Sequence, residues 1–424
     1  MQKKTLTSII LWSVISAAFI GPGTVTTAAS AGSLFGLDLL WAVVFATIAC
    51  IVLQEVSARL TIVSGLTMGQ ALVRGYGAGR SKWLTVVLGG PVILGCAAYE
   101  AGNILGAVSG VQLLSHWELP VITVICTVVA FAVLWTDRRQ AIGWLMTFLV
   151  GLMGLAFFAL AATRPYSAGE YLHFSVMPSV PVGSELLTLG LVGTTIVPYN
   201  VFLGSGISKG QTVPMMRVGL TISVLIGGLI TAAILVAGTA VSSFSNFNEL
   251  ASSLTQSMGP LGGWALGVGL FAASFSSAIT SPYAASIIAG SVFDWKLSHQ
   301  RIVWITVLLT GFVFGISGIK PIPVILAVQA LNGLVLPLLT AFLILMINHP
   351  DLVPQEERPS IGYNIVLIAI FSSVLMMGLN NIDKSLSAAI GMAGGHWVVM
   401  IALTTALTLW LIYSLTLRIR GSRH

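Results

Sequence analysis

Long apolar stretches separated by short polar loops run along the whole chain. Most hold twenty residues or more and the shortest hold 17, enough to cross a hydrocarbon core of about 30 Å as a helix. Backbone groups in lipid must be hydrogen-bonded internally, whereas barrel strands would alternate apolar and polar positions, so the stretches predict helices. About twelve spans are expected, at 7–36, 38–63, 84–114, 119–135, 141–163, 184–206, 216–243, 262–293, 301–317, 321–347, 361–380 and 397–418.

The composition excludes an ordinary soluble protein. The chain is 56% hydrophobic and 8% charged, while a soluble domain carries about a quarter charged residues. The longest loops, at 64–83, 164–183, 244–261 and 348–360, are too short for a soluble domain. We therefore expect one membrane domain over residues 1–424.

The net charge of +6 could indicate a nucleic-acid partner, but the positions of the charges favour a different explanation. If both termini are cytoplasmic, sixteen Lys and Arg residues fall in inner segments. Only Arg164, Lys320 and Lys384 fall in outer ones. This bias predicts a multi-pass protein of a cytoplasmic (inner) membrane, with both termini cytoplasmic and no nucleic-acid partner.

Two spans carry helix-breaking residues near mid-membrane. The first contains Gly21-Pro22-Gly23, and the sixth contains Val197-Pro198. Gly and Pro destabilise a helix interior, so both spans are expected to unwind there. Two ordinary proline kinks are the simpler alternative. Because the sites lie five spans apart, they favour an all-α integral membrane fold of the LeuT type, with a 5+5 inverted repeat and discontinuous helices 1 and 6. The repeats would cover about 7–163 and 184–347, with two peripheral helices at about 361–418.

The same segments resemble a known family. The stretches that carry the resemblance are Gly21-Pro22-Gly23-Thr24, Gln54-Glu55-Val56-Ser57-Ala58-Arg59-Leu60, Gly193 through Ser205, Ala272 through Ala284, and Gln329 followed by Pro337. In order and spacing they are similar to the Nramp family of proton-coupled divalent-metal transporters. The resemblance covers about residues 8–347 and implies a secondary transporter that works by alternating access.

The departures from this family concern its metal ligands. The resemblance places Gly21 and Thr24 where the family has Asp and Asn, and Val197 and Tyr199 where it has Met and His. The acidic pair of the third span becomes Glu100 and Asn103. The usual side-chain ligands of both breaks are therefore missing.

The residue types at the breaks leave the substrate open. Thr24, Tyr199, Asn200 and Gln329 offer only neutral oxygens, which hold a buried divalent ion poorly. Half-helix N-termini without a nearby carboxylate favour an anion. We therefore expect a small organic acid or amino acid as substrate and no metal site. The alternatives are a divalent ion (Mn²⁺, Fe²⁺ or Mg²⁺) at a rebuilt backbone and hydroxyl site, or a channel. The candidate substrate-binding residues are Gly21, Gly23, Thr24, Thr195, Val197, Tyr199, Asn200 and Gln329.

Coupling to H⁺ or Na⁺, as in a symporter, is expected to use Glu100, Asn103, Ser277 and Thr280. A charge in mid-membrane costs about 2.5–3.5 kcal/mol on insertion scales, so Glu100 should face the bundle interior, as a proton relay or as a neutral structural group. The other acids lie in loops or near span ends, where Glu55 can pair with Arg59 one turn later. The hydroxyl stripe of the eighth span could complete a Na⁺ site or simply let helices pack closely.

An intramembrane enzyme is the main competing class, and the chain lacks the residue spacing that one would need. There is no His-Glu-x-x-His motif, and the histidines lie in predicted loops, span ends or the tail: His116, His173, His299, His349, His396 and His424. Cys50, Cys96 and Cys126 lie within spans without metal spacing. We expect no enzyme activity and no cofactor. The lipid bilayer is the expected environment, and the oligomeric state stays open.

Overall fold

The computed structural model describes residues 2–76, 78–136, 138–242, 246–390 and 396–421, without the side chains of 2–5, 78–82, 139, 323, 326–334, 381, 384–390 and 419–421. The described residues form helices joined by short loops. These are α1 Gln2–Phe19, α2 Pro22–Phe35, α3 Leu40–Ser64, α4 Met68–Tyr76, α5 Ala78–Leu114, α6 Leu119–Trp135, α7 Arg139–Ala161, α8 Ala168–Val176, α9 Glu185–Thr195, α10 Pro198–Ser208, α11 Val213–Gly238, α12 Phe247–Met258, α13 Pro260–Val292, α14 Leu297–Ile316, α15 Pro321–Ile347, α16 Ile361–Ile390 and α17 Trp397–Gly421, with a 3₁₀ turn at Gln355–Glu357.

Each predicted span coincides with a helix or a broken pair of helices. Among the described residues, nine helices are long and apolar enough to cross a membrane, or ten if α1 and α2 form one bent span. Two further predicted spans are not among these nine or ten. Helix α6 is apolar but has only 17 residues, and in α15, which has 27 residues, the apolar stretch found is Val335–Ile347. The structure therefore confirms a helical, multi-pass membrane fold.

Three segments expected to be loops contain short helices: α4, α8 and α12. The hydroxyl of Ser167 accepts from the N–H of Glu170, whose carboxylate accepts from the Ser167 N–H, so a capping box begins α8. The hydrogen bonds that the Glu170 carboxylate accepts from the Ser167 N–H and hydroxyl also lower the pKa of Glu170. Asn246 caps α12 through the N–H of Glu249. Such caps satisfy backbone donors that the first helical turn leaves free.

The first break is a sharp change of direction. Helix α1 ends at Phe19, α2 begins at Pro22, and the two axes differ by 63°. Gly21 lies between them in extended conformation, as expected for a residue that precedes proline. The predicted interruption of the first span is confirmed.

The second break lies between α9 and α10, where Ile196 and Val197 are not helical. Val197 is also extended before Pro198. The two halves together still form one apolar span of 24 residues, so this break lacks the sharp bend of the first. Proline alone does not produce such breaks, because Pro91 and Pro282 lie within continuous helices.

Glycines let the helices around the breaks approach closely. A Cβ on Gly106 of α5 would lie 2.5 Å from the Pro22 ring, and one on Gly110 would lie 2.5 Å from the Phe271 nitrogen of α13. On α2, a Cβ at Gly32 would lie within 2 Å of the Leu235 carbonyl oxygen of α11. Small residues at these crossings bring α2, α5, α11 and α13 into backbone contact.

An ionic cluster around the buried Glu55 joins α3, α11 and α16. Glu55 pairs with Arg59 one turn later, as predicted, at 3.2 Å. It also accepts from Arg217 of α11 at 2.9 Å and from the Tyr363 hydroxyl of α16 at 2.8 Å. The Arg59 guanidinium lies over the Tyr363 ring, 5.4 Å from its centroid, and donates to the Glu357 carbonyl. Helix α16, expected only at the periphery, is thus tied to the bundle by polar contacts.

Candidate functional site

The two breaks face each other across a small cavity. The residues around it come from both broken spans and from α5, α13 and α15: Ala18, Phe19, Gly21, Pro22, Gly23, Thr24, Tyr99, Gly102, Asn103, Thr194, Val197, Tyr199, Ser277 and Ile325. The volume of the cavity is about 20 Å³. A cavity needs about 10–15 Å³ to hold one water molecule, so this one holds about one water or ion.

Hydroxyl groups at this cavity donate to carbonyls left free at the end of α1. Thr24 Oγ1 donates to the Phe19 carbonyl at 2.6 Å, and Tyr199 Oη donates to the Ala18 carbonyl at 2.7 Å. A hydroxyl has one proton, so each of these oxygens has only lone pairs left for another partner. The Tyr199 hydroxyl therefore joins the two breaks, the Thr24 hydroxyl joins the two halves of the first break, and both present acceptors to a ligand.

A buried carboxyl group stands behind an amide of the cavity wall. Asn103 Nδ2 donates to Glu100 Oε2 at 3.2 Å, one turn earlier on α5. The Asn103 Oδ1 then lies on the cavity side, 3.7 Å from where a Cβ on Gly21 would be. Glu100 is fully buried, and its Oε1 has no hydrogen-bond partner among the described residues. Glu100 thus orients the amide oxygen without lining the cavity itself.

Two tyrosines separate this cavity from a second one. The rings of Tyr99 and Tyr199 are in edge-to-face contact, with centroids 5.7 Å apart. The second cavity also contains both rings, together with Pro91, Val92, Gly95, Pro198 and Val335. A ligand moving between the two cavities would have to displace this pair.

The structure brings seven of the predicted residues to the cavity: Gly21, Gly23, Thr24, Asn103, Val197, Tyr199 and Ser277. Thr195 instead donates back to the Leu191 carbonyl, and its neighbour Thr194 faces the cavity. Thr280 donates to the Ser276 carbonyl of its own helix. The amide of Asn200 is buried away from the cavity without a described hydrogen-bond partner. Gln329 belongs to α15, but its side chain lies outside the described part of the chain.

Several groups that line the cavity were not predicted from the sequence. Tyr99 lies one turn before Asn103 on the same helix face, and that spacing could have identified it. The carbonyls of Ala18 and Phe19 carry no side-chain signal. They matter because α1 ends there, which leaves its last carbonyls without intrahelical partners.

The cavity offers oxygen atoms and no cluster of strong metal ligands. Among the described residues, no group of three or more His, Cys, Asp or Glu side chains could hold a metal ion. All three cysteines are buried and free. Any ion held here would depend on hydroxyl, amide and carbonyl oxygens, with Glu100 as the adjacent carboxyl group.

Comparison with solved structures identifies the architecture. The manganese transporter of Eremococcus coleocola, in complex with an aromatic bis-isothiourea substituted compound, superposes with a TM-score of 0.78 at 17% identity. The match covers 100% of this chain and 96% of that one. MhsT in complex with L-phenylalanine matches with a TM-score of 0.58 at 17% identity, over 88% of this chain and 97% of that one. These likenesses confirm the LeuT-type fold.

Sequence comparison adds relatives over most of the chain. A divalent metal cation transporter, MntH, of Caldanaerobacter subterraneus is 24% identical over 387 residues, which cover 85% of this chain and 90% of the relative. Its namesake from Acidiphilium cryptum is 25% identical and covers 87% of both. The family model described as natural resistance-associated macrophage protein-like matches residues 13–384. The chain therefore belongs to the Nramp family, whose members are membrane transporters and not enzymes.

Proposed function

We propose that this transporter carries a small divalent metal ion through the cavity between its two broken spans, by alternating access. The relatives over most of its length carry the name divalent metal cation transporter. In the conformation described, the cavity has room for about one ion. The expected organic acid or amino acid is thereby replaced by the alternative, a metal ion at a rebuilt site.

The observation that carries this proposal is the direction of the hydroxyl hydrogen bonds. Thr24 and Tyr199 both direct their protons at carbonyls of α1. Their remaining lone pairs attract a cation and repel a carboxylate. The N–H groups of α2 and α10, which favoured an anion in the sequence, are reduced in number because Pro22 and Pro198 occupy the first helical positions.

The charge balance supports a cation at the same place. The carboxyl ends of α1 and α9 and the amino ends of α2 and α10 meet at the breaks, so their half charges of opposite sign largely offset one another. The buried carboxyl group of Glu100, one hydrogen bond behind Asn103, is then the acidic group that can balance a cation. Because every ligand would be an oxygen, hard ions such as Mn²⁺ and Mg²⁺ fit better than softer metals that prefer sulfur or imidazole.

The proposal also covers coupling to protons and the orientation of the protein in the membrane. Glu100 is the proposed proton carrier, because it is the buried carboxyl group nearest the cavity. The asymmetry of Lys and Arg supports a cytoplasmic membrane with both termini on the cytoplasmic side.

A counterflow experiment in proteoliposomes tests the substrate class. Vesicles with purified protein are loaded with unlabelled Mn²⁺, Mg²⁺, amino acids or carboxylic acids, and entry of the same labelled solute is followed. We expect saturable exchange of a divalent ion. Exchange of an organic solute alone would overturn the proposal, and non-saturating flux with single-channel currents would instead establish a channel.

A further inference from the structure

The ends of α6 and α14 that the proposed orientation places on the cytoplasmic side meet in a cluster of aromatic rings. Trp304 of α14 is buried and contacts two rings of α6: Phe131, with centroids 5.2 Å apart, and Trp135, at 6.4 Å. Phe131 and Trp135 also stack on each other at 5.5 Å. Trp135 is 53% exposed, so the cluster presents an open aromatic face on the outside of the bundle.

The guanidinium of Arg301, near the start of α14, lies over this face. Its central carbon is 5.2 Å from the centroid of the Trp135 ring. Such a contact restricts the position of the guanidinium and leaves its N–H donors available. Arg301 is exposed, and among the residues that the structure describes it has no ion pair and no side-chain hydrogen bond. A cation with available donors is therefore held at a defined place on the surface.

The same end of α6 and α14 carries an excess of positive charge. Residues 135–139 and 293–301 contain four cations and two acids: Arg138, Arg139, Lys296 and Arg301 against Asp137 and Asp294. Asp137 and the side chain of Arg139 lie outside the described residues. Arg138 and Lys296 are exposed, and neither forms an ion pair with a described residue. By contrast, Arg217 of α11 pairs with Glu55. The excess charge around Arg301 therefore attracts an anion from outside the protein.

The surface that continues from this cluster into the membrane is apolar. Exposed branched side chains follow both helices away from Arg301: Val128 and Val124 on α6, and Leu309 and Val313 on α14. Acyl chains pack on such a surface, while the guanidinium lies at the level of the headgroups. A phospholipid supplies both an anion and acyl chains, whereas a soluble phosphate supplies only the anion.

We propose that Arg301, positioned by Trp135, binds the phosphate of one anionic phospholipid of the cytoplasmic leaflet, with the acyl chains along α6 and α14. The planar guanidinium can donate two parallel hydrogen bonds to a phosphate. Basic pockets between transmembrane helices on the cytoplasmic side bind anionic headgroups in this way. A zwitterionic headgroup adds a cation that the surrounding positive charge repels, so phosphatidylglycerol is favoured over phosphatidylcholine. This site does not depend on which solute is transported.

Native mass spectrometry of the delipidated full chain in detergent tests the site. With increasing phosphatidylglycerol, we expect one lipid to bind saturably before any others. Arg301→Gln should weaken this binding about five-fold, the effect of one cation close to an anionic lipid. Lys209→Gln is the matched control, because Lys209 is an exposed cation at the proposed cytoplasmic end of α10 without a described aromatic contact. It should leave the affinity unchanged.

Arg301→Lys separates a defined site from general attraction. The charge is unchanged, but the planar fork that binds phosphate is lost. A defined site predicts affinity at least two-fold weaker than in the wild type. Wild-type affinity in Arg301→Lys, equal weakening by Arg301→Gln and Lys209→Gln, or equal binding of phosphatidylcholine would each overturn the site.

Thermal unfolding distinguishes a lipid from a free phosphate. A ligand that binds the folded state raises the Tm. We expect a saturable rise with phosphatidylglycerol in the wild type and in Lys209→Gln, a smaller rise in Arg301→Gln, and no rise with glycerol phosphate at the same concentration. An equal rise with glycerol phosphate would show that the acyl chains contribute nothing and would overturn the lipid site, and so would a Tm that does not respond to phosphatidylglycerol.

Discussion

The phenolic oxygen of Tyr199 lies 2.7 Å from the carbonyl oxygen of Ala18, and this hydrogen bond joins the two broken spans directly. Ala18 belongs to the last turn of α1, whose carbonyls lack intrahelical partners. Tyr199 belongs to the first turn of α10. A side chain of one break thus satisfies the backbone of the other, so their geometries depend on each other.

Tyr199→Phe tests this dependence. The substitution keeps the ring against Tyr99 but removes the donor, which leaves the buried Ala18 carbonyl with only the Ser277 hydroxyl 3.5 Å away, at a cost of about 1–3 kcal/mol. We expect a lower Tm and slower transport from the altered cavity. Thermal unfolding and uptake by the same preparation provide the comparison. An unchanged Tm would show that the hydrogen bond does not couple the breaks.

Glu100→Gln separates a proton carrier from a structural group. Gln cannot ionise, but its carbonyl can still accept from Asn103 Nδ2, so the orientation of the amide is retained. We expect normal expression and unchanged stability with loss of the uptake driven by a pH gradient. The measurement is uptake with and without an imposed gradient. Undiminished proton coupling in the variant would exclude Glu100 as the carrier.

The contacts of Glu55 with Arg59, Arg217 and Tyr363 should contribute to the stability of the fold by holding α16 against the bundle. Glu55→Gln leaves the buried Arg59 without its charge partner, which should cost about 3 kcal/mol or more. Tyr363→Phe removes a hydrogen bond to a charged group and should cost about 1.5–3 kcal/mol. Tyr413→Phe, at an exposed position of α17, is the control and should leave stability unchanged. Equal Tm values for all three variants and the wild type would mean that the cluster contributes nothing.

Gly32 marks the tightest crossing between α2 and α11. A Cβ there would overlap the Leu235 carbonyl oxygen, which belongs to the backbone and cannot rotate away. We expect Gly32→Ala to cost more than about 3 kcal/mol or to prevent folding. At Gly151 of α7 no atom lies within 4 Å of a built Cβ. Gly151→Ala should therefore be neutral or stabilise by up to about 1 kcal/mol. Comparable expression and Tm of both variants would contradict this packing.

The positions of the breaks could be predicted from sequence because Gly and Pro act through local backbone chemistry. Gly21-Pro22 and Val197-Pro198 lie where the helices stop. The same local logic fails at Pro91 and Pro282, which remain within continuous helices. What distinguishes the first break is partly tertiary. Thr24, five residues later in the chain, satisfies the Phe19 carbonyl, but the Ala18 carbonyl is satisfied by Tyr199 of α10, which no local pattern records.

The substrate that we propose differs from the one expected from the sequence for a related reason. By residue type alone, Thr24 and Tyr199 carry neutral hydroxyl groups that can either donate or accept a hydrogen bond. The cation preference that we propose for them depends on where their protons point, which is set by the Phe19 and Ala18 carbonyls at the end of α1. Cavity size is likewise a property of the packed helices. The residues that line the cavity were therefore easier to predict than the charge of the proposed ligand.

Saturable Mn²⁺ uptake by matched threonine variants tests the proposed cation site most directly. Thr24→Val removes a hydroxyl oxygen from the cavity, while Thr26→Val removes one that bonds to the Pro22 carbonyl of the same helix away from the cavity. In proteoliposomes, Thr24→Val should raise the KM for Mn²⁺ at least several-fold, and Thr26→Val should leave it near the wild-type value. Equal KM values for wild type and both variants, or no saturable uptake of Mn²⁺ by the wild type, would contradict a cation site between the two broken spans.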